Sequence, residues 1–533
     1  MLMFNRIRLA AILAFFAIPA CTDAKTIRVR SQEDFDNLSR RVATVASTSP
    51  SSRLRIVFKS GTYVADDGQV LFSAIDRPDL KIRILGRSSV IIPRGREYRN
   101  GDRYDGVFDV NRSWMSSGVD VPIWSEVKYA DGKVEVLDAE NKQCRLKSTA
   151  PVPDIADTSD AYISIPHWYR SSIYKIDKIQ DSYIYFTAPD LALSYNNGYN
   201  VNDDLNYGKK PIRYKLCNVG GEQGCFRIED GMVRLPSGVS SVWEGDAYRF
   251  LEVRNCKLKS FELTGFEFRG SKYRDYAAPA VYFVRTDFGS ALISNCTFSG
   301  LRSQAVAVSA SSNVTVKNCV FQDCYLGGVT SENRSLNTHV AENTFRSMGK
   351  RMENTFCVIC RGENYRVSDN TMTDFGYGGI GVGVWYKHDK PAPCNGVVER
   401  NTLTFTPQYS ASIDQHGIMD SGAIYVWTQN DGAVIRDNVI DGYSGMKDNR
   451  GIFCDDGAYN VTISGNTITG IANSYSIDSR RVQSVESAQG SKVRRANVNN
   501  RVSGNVVDAP IRFEPREGSD NGCHISGNIE KSR

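Results

Sequence analysis

The sequence lacks three features that would point to common classes of protein. Its 65 basic and 60 acidic residues are spread without blocks, so the formal net charge is only +5, and this balance predicts no nucleic-acid partner. Beyond residue 18 it has no apolar run long enough to span a membrane. Its five histidines are not clustered, and Cys357-Val-Ile-Cys360 has no second cysteine pair, so no metal site, redox site or cofactor is predicted.

The first segment has the pattern of an export signal. Two arginines precede an apolar run from Leu9 to Ile18, which is too short to span a bilayer. We therefore expect residues 1–20 to be a signal peptide. Residues 18–21 look like a bacterial lipobox, which would attach a lipid to Cys21 and place the protein in the periplasm or outer membrane of a Gram-negative bacterium. The alternative is ordinary cleavage nearby, with Cys21 incidental.

The strongest signal is a repeat built on asparagine. Asn followed within three residues by an apolar one recurs at Asn255, Asn295, Asn318, Asn343, Asn370, Asn401, Asn438, Asn466, Asn505 and Asn528. Short alternating strands broken by Gly, Asn and Asp at this period predict the coils of a parallel β-helix. Asn suits such turns because it tolerates the left-handed conformation and its amide can bond the Asn of the next coil. The alternative is an antiparallel β-sandwich, but hairpins do not explain turns that keep one local sequence.

The repeat also accounts for three cysteines. Cys256, Cys296 and Cys319 each follow an Asn of the repeat, as buried small apolar residues would.

The repeat is interrupted near the N-terminus. Residues 25–93 contain strands typical of the first coils, and 239–533 carry the repeat. Between them, residues 94–238 lack it and instead contain alternating segments such as Lys133–Leu137. The predicted fold is therefore all-β: a right-handed parallel β-helix with an inserted β-sandwich-like domain near the N-terminus.

The stretch from Asp420 to Thr467 holds two copies of one unit. Aligned on Asn438 and Asn466, the copies place Ile424 on Ile452, Tyr425 on Phe453 and Trp427 on Asp455. Equivalent positions stack on neighbouring coils, so Asp420, Asp455 and Asp456 are expected on one face. Glycoside hydrolysis needs such carboxyls, one protonated and one ionised, and crowding Asp455 against Asp456 raises at least one pKa. The alternative is that Asp455-Asp456-Gly457 only ends a strand, as turn residues do.

Two motifs in this stretch carry a family resemblance. D-S-G-A-I-Y at 420–425 and G-I-F-C-D-D-G at 451–457 resemble the D-x-G-A-I-Y and G-I-Y-x-D-D-G motifs of β-helix glycoside hydrolases that include α-L-fucosidases and xylanases acting on plant cell-wall glycans. The resemblance implies that Asp420 and Asp455 are the catalytic pair, with Asp456 assisting. The chain departs from the pattern at Phe453 and Cys454.

Other side chains are predicted to bind substrate, because the aromatic rings at 385 and 386 can stack on a sugar and His416 is suited to a polar contact in the cleft. They are Trp385, Tyr386 and His388 after a Gly-rich strand, His416 before the first motif, and Tyr425 and Trp427 beside the carboxylates. The alternatives are a packed loop for the first three and a turn histidine for His416.

The sequence is compatible with three functions. The first is a glycoside hydrolase, an exported monomer that cleaves a complex plant or host polysaccharide. Coils ~4.8 Å apart and an offset along the strand predict a carboxyl separation beyond ~6.5 Å, and hence inversion. The second is a polysaccharide lyase acting on uronate-containing glycan, often with Ca²⁺, with a base among Lys387, His388, Tyr425 and Arg450. The third is a non-catalytic glycan-binding envelope protein.

Overall fold

The computed structural model describes residues 24–105, 113–116, 130–138, 140–148, 152, 161–166, 171–188, 212–217, 227–272, 279–332, 334–349, 355–383, 394–407, 421–427, 431–443, 449–455, 458–471, 474–479, 484–486, 492–494, 497–513 and 522–531. Two short helices, α1 (Gln32–Asp36) and α2 (Leu38–Thr48), lie near the start. Within these ranges no helix is long and apolar enough to cross a membrane.

Most strands belong to two parallel sheets. The first sheet contains β1 (Lys25–Val29), β2 (Arg53–Phe58), β3 (Thr62–Ala65), β5 (Asp76–Pro93), β18 (Lys257–Ser271), β20 (Asp287–Phe288), β21 (Ala291–Ser294), β22 (Thr297–Leu301), β24 (Val314–Lys317), β25 (Val320–Gln322), β27 (His339–Ala341), β28 (Thr344–Met348), β30 (Arg366–Ser368), β31 (Thr371–Phe375), β33 (Val397–Glu399), β34 (Thr402–Thr404), β36 (Val434–Arg436), β37 (Val439–Asp441), β39 (Thr462–Ser464), β40 (Thr467–Thr469), β44 (Arg501–Ser503), β45 (Val506–Val507), β47 (His524–Ser526) and β48 (Ile529–Glu530).

The second sheet is built from one strand of each coil. It contains β4 (Val70–Ser73), β17 (Leu251–Arg254), β19 (Val281–Val284), β23 (Gln304–Ser309), β26 (Gly327–Ser331), β29 (Phe356–Cys360), β32 (Gly378–Val382), β35 (Ser421–Val426), β38 (Asn449–Cys454), β41 (Ile477–Ser479) and β46 (Ile511–Phe513). The antiparallel strands are β6 (Gly95–Arg99), β7 (Ser113–Ser116), β8 (Ala130–Asp138), β9 (Gln143–Ser148), β10 (Tyr162–Pro166), β11 (Ser171–Gln180), β12 (Tyr183–Thr187), β13 (Ile212–Cys217), β14 (Arg227–Glu229), β15 (Met232–Arg234), β16 (Ser241–Gly245), β42 (Ser484–Glu486) and β43 (Lys492–Arg494).

A regular coil contributes one strand to the second sheet and two to the first. In one such coil, β29, β30 and β31 each pair in parallel with β32, β33 and β34 of the next coil. The interior is apolar and stacked: rings of Phe268, Phe298, Phe321 and Phe345 follow one another with centroids 5.0, 4.9 and 4.7 Å apart. These distances match the ~4.8 Å spacing of paired strands, so each core ring rests on the one below. The predicted parallel β-helix is confirmed.

A column of buried asparagines lies at the turn between the two first-sheet strands of each coil. In this column each side-chain amide donates to Oδ1 of the next asparagine at 2.9–3.0 Å, from Asn343 through Asn370, Asn401, Asn438, Asn466 and Asn505 to Asn528. The same Oδ1 atoms also accept from backbone N–H groups. The turn groups, which water cannot reach, are thereby satisfied. The predicted ladder is confirmed from Asn343 onward.

The first three asparagines of the predicted ladder are placed differently. Asn295 and Asn318 hold left-handed backbones, with φ of 51° and 53°, and the next residue occupies the ladder position. In both turns that next residue is a buried cysteine. The backbone N–H of Cys319 donates to Asn343 Oδ1 at 2.9 Å. From Asn343 onward the left-handed residue instead precedes the asparagine. The motif could not reveal this shift of one residue, because cysteine and asparagine are both small enough for the turn.

Asn255 lies at a different corner of the coil. Lys257 pairs with Asp287, whereas Glu267 pairs with Thr297. Residue 255 therefore precedes a different strand segment from Asn295. The predicted ladder was wrong at this position, since the same short motif closes two different turns.

The inserted region contains its own barrel. None of the described strands from Gly95 to Gly245 pairs with either parallel sheet. Six of them close into an antiparallel barrel, because β13 pairs with both β8 and β10. This corrects the predicted sandwich: alternating segments suit both architectures, and only long-range pairing decides whether edge strands remain. The three-stranded sheet of β6, β7 and β16 extends past residue 238.

The asparagine column should govern stability. Asn401→Ala removes the acceptor for Asn370 and the donor to Asn438, so we expect the free energy of unfolding to fall by about 2–4 kcal/mol, the scale of buried polar groups left unpaired. Denaturant unfolding followed by fluorescence measures it. Asn141→Ala, in an exposed hairpin, should cost less than ~1 kcal/mol. Equal losses in both variants would contradict the role of the column.

Candidate active site

The register of the second sheet brings the two copies of the repeated unit onto adjacent rungs. Ile424 pairs with Ile452, and Tyr425 with Phe453, so the sequence alignment of these two copies is confirmed. The backbone N–H of Asp455 donates to the carbonyl of Val426 at 2.9 Å. Asp455 therefore takes the position next to Trp427, directly after β38.

Asp455 is the predicted catalytic carboxylate that the structure describes. It is half-buried, and Tyr425 Oη of the preceding rung donates to its Oδ2 at 2.6 Å. Hydrogen bonds to an ionised carboxylate are short and strong. The arrangement therefore orients a carboxylate that solvent still reaches.

Aromatic rings pack around the Tyr425 side chain. Its ring centroid lies 5.8 Å from Phe356, 5.9 Å from Tyr377, 5.1 Å from Trp427 and 5.1 Å from Phe453. Tyr425 and Trp427 are only 3% and 5% exposed. The Tyr425 hydroxyl holds Asp455 in place, and both rings offer little open face to a sugar ring. The stacking role predicted for these two residues does not fit this burial, because sequence alone does not tell which side of a ring is covered.

A glycine makes room for the indole of Trp427. A Cβ atom on Gly381 would come within 2.7 Å of two Trp427 ring atoms. The indole therefore lies back across β32, the preceding rung.

A buried ion pair lies next to this cluster and was missed in the sequence. Arg450 Nε donates to Asp478 Oδ2 at 2.5 Å, and the two side chains are 1% and 0% exposed. Arg512 also pairs with Asp478, at 2.8 Å, and the Arg450 guanidinium lies 4.0 Å from the centre of the Phe453 ring. Asp478 pairs in register with Phe453. The signal was present, since Ile477-Asp478 repeats the Ile452-Phe453 unit once more.

The remaining predicted site residues lie outside the described residues. They are Asp420, Asp456, Trp385, Tyr386, His388 and His416, together with the lipid-attachment position Cys21.

The paired cysteines at 357 and 360 lie in the helix interior. Burial raises the pKa of both thiols, that of Cys360 to about 12, so both stay protonated at neutral pH and are poor metal ligands or nucleophiles. Within the residues that the structure places, no group of three or more His, Cys, Asp or Glu side chains could hold a metal ion.

The stacked coils and their continuous core define the chain as a parallel β-helix protein. It matches the profile of the right-handed β-helix region over residues 237–528, which is more than half of the chain. The protein therefore belongs to the right-handed β-helix family.

One solved structure shares this fold: a glycoside hydrolase is 11% identical and superposes with a TM-score of 0.56 over 85% of this chain and 97% of its own. Two others are less similar. An alginate lyase from Paenibacillus sp. is 14% identical, with a TM-score of 0.29 over 52% and 88% of the two chains. The catalytic domain of an α-1,3-glucanase is 10% identical, with a TM-score of 0.27 over 81% and 100%. No curated protein sequence matches the chain.

Removing one partner of the buried ion pair should destabilise the protein, because the other charge stays buried. Asp478→Asn keeps the shape but leaves Arg450 buried beside a neutral amide, so we expect a loss of about 3 kcal/mol or more in the free energy of unfolding. Urea denaturation measures it. The matched control is Asp369→Asn, in the exposed pair with Arg400, which should cost less than ~1 kcal/mol. A loss at Asp478 as small as at Asp369 would refute this role.

Proposed function

We propose that the protein is a glycoside hydrolase that cleaves a polysaccharide with a carboxylate at Asp455. One observation carries the proposal: a half-exposed carboxylate follows β38, and the Tyr425 hydroxyl fixes its Oδ2 at 2.6 Å. A hydroxyl that donates to a carboxylate stabilises its ionised form. In an inverting hydrolase, the carboxylate that activates water is ionised. We therefore assign Asp455 the role of general base.

A second carboxyl must donate a proton to the leaving oxygen. The family resemblance of the two motifs favours Asp420 for this role, with Asp456 assisting. Asp420 directly precedes Ser421, which pairs with Asn449 at the start of β38, whereas Asp455 follows its end. The two positions are therefore offset along the strand. We propose a carboxyl separation beyond the ~6.5 Å that an inverting pair needs, rather than the ~5 Å of a retaining pair.

Two contacts favour hydrolysis over the lyase alternative. A lyase needs an unprotonated base beside a uronate. The Tyr425 hydroxyl instead keeps its proton and donates a hydrogen bond to Asp455. Arg450 is buried and bound to Asp478, so it is poorly placed to meet a substrate. Lys387 and His388, the other two candidate bases, lie outside the described residues. The shared fold with a glycoside hydrolase is consistent with the proposal, but a fold alone does not establish a function.

Export and lipid attachment at Cys21 stay part of the proposal. Their support is the leader pattern of residues 1–21. Such a protein would meet its polysaccharide at the cell envelope, and membrane fractionation of Cys21→Ser would show whether the lipid anchors it.

The carboxylate at 455 should be required for turnover but not for binding. Asp455→Asn is nearly isosteric and cannot take a proton, so we expect turnover to fall by ~10² or more with substrate affinity little changed. The assay is mass spectrometry of products after digestion of a glycan array, which also identifies the substrate. Asp437→Asn, an exposed aspartate in the turn between β36 and β37, is the control and should leave turnover unchanged. Full activity of Asp455→Asn would refute the proposal, and an unsaturated product absorbing in the ultraviolet would establish a lyase.

A second prediction concerns Asp420 as the general acid. Asp420→Asn should also lower turnover by ~10² or more, and proton NMR should show the inverted anomer as the first-formed sugar. Wild-type turnover in Asp420→Asn would remove Asp420 from the mechanism. A retained anomer would overturn both the wide separation and the assigned roles.

A further inference from the structure

The outer surface of the first sheet is strongly basic where the β-helix begins. Side chains of β1, β2 and the first half of β5 alternate between the apolar core and solvent. Five basic residues face solvent there, and we call them the basic face: Arg28, Arg53, Arg55, Lys81 and Arg83. All five are exposed, and the exposed Arg30, Lys59 and Arg87 continue the face. The sequence shows no block of charge, because the strand period and the coil spacing separate these residues along the chain.

The register of the rungs places these like charges side by side. Arg55 pairs with Arg83, and Arg53 pairs with Lys81, so the Cα atoms of each pair are about one strand spacing apart, ~4.8 Å. Like charges directly opposite each other on paired strands are destabilising. The basic face therefore lowers the stability of the free protein, and folding alone gives no reason for it.

The basic face is also poorly neutralised. The solvent-facing residues among its members are Thr26, Val57 and Leu85, so the face has no carboxylate of its own. Glu262, on the rung after β5, pairs with Arg83 at 2.9 Å. The other four members form no ion pair in the part of the chain that the structure describes. Several positive charges on adjacent rungs thus remain available to an anionic partner.

We propose that the basic face binds an anionic membrane surface through the phosphate groups of its lipids. Guanidinium and ammonium groups form charge-assisted hydrogen bonds with phosphate. Each basic residue near an anionic bilayer strengthens binding about fivefold. The basic face extends both along the strands and across the rungs, and the charges of a membrane surface are likewise spread in two dimensions. The face is on the other sheet from Asp455 and is independent of the proposed catalysis.

The place of the basic face in the chain favours a membrane over an acidic polysaccharide. Cys21, the predicted lipid-attachment position, precedes Lys25 at the start of β1 by four residues. Four residues span at most about 14 Å. A lipid at Cys21 would therefore hold β1, and the basic face that begins on it, close to the bilayer. A lipid chain and a basic patch are a common pair of membrane attachments.

Co-sedimentation of the full chain with vesicles measures this binding. Cys21→Ser removes the predicted lipid position, so that binding reports the protein surface alone. The probes are vesicles of phosphatidylcholine and vesicles of equal parts phosphatidylcholine and phosphatidylglycerol. We expect binding to the anionic vesicles only, and we expect it to weaken as added sodium chloride screens the charges.

A combined variant removes the four unpaired charges: Arg28→Gln, Arg53→Gln, Arg55→Gln and Lys81→Gln. Its partition coefficient on the anionic vesicles should fall ~30-fold or more, since each residue contributes about a fivefold factor. Its midpoint of thermal unfolding should stay equal or rise, because the repulsion between paired strands is removed.

A matched control loses the same charge at exposed positions elsewhere on the molecule: Lys147→Gln, Lys175→Gln, Arg346→Gln and Arg501→Gln. Its partition coefficient should change by less than about threefold, because charges more than a Debye length from the membrane are screened.

Several results would overturn the proposal. These are undiminished binding in the combined variant, an equal loss in the control, or equally tight binding to the phosphatidylcholine vesicles. Salt-independent binding of the parent chain would also overturn it, and that measurement needs no variant. Tighter binding to soluble polygalacturonate than to the anionic vesicles would assign the basic face to an acidic polysaccharide instead of a membrane.

Discussion

From Asn343 onward, the structure depends on satisfying buried backbone groups at one turn of each coil. Where the two strands of the first sheet meet, the N–H and C=O groups are closed off from water. The stacked asparagines satisfy them with donors and acceptors that face the next rung. A shifted rung would break this column and leave several groups unpaired. The column therefore fixes the register of each coil on the next.

The candidate site follows from that register. Tyr425 can reach Asp455 because consecutive rungs place them one step apart. The neighbouring Arg450–Asp478 pair is costly to bury and adds little net stability compared with apolar packing. What it contributes is a fixed geometry, since Arg450 lies against Phe453 and Phe453 lies against Tyr425. Stability and orientation of the carboxylate are thus supplied by different interactions.

Small residues have different structural roles at different positions of the β-helix. Buried cysteines replace asparagine in two early turns, where their small apolar side chains pack within the core. Gly381 gives the Trp427 indole its place across β32. The surface over the second sheet is therefore shaped as much by missing side chains as by present ones.

The repeating architecture and the alignment of Ile424 with Ile452 could be predicted from the sequence, because every coil of a parallel helix has the same local requirements. The sequence also pointed to Asp455. The tertiary structure was needed to show that the inserted strands close into a barrel, since β13 must pair with both β8 and β10 far along the chain. It alone placed Asn255 at another corner, buried the rings of Tyr425 and Trp427, and paired Arg450 with Asp478. Those outcomes depend on which surfaces meet, and no local pattern carries that information.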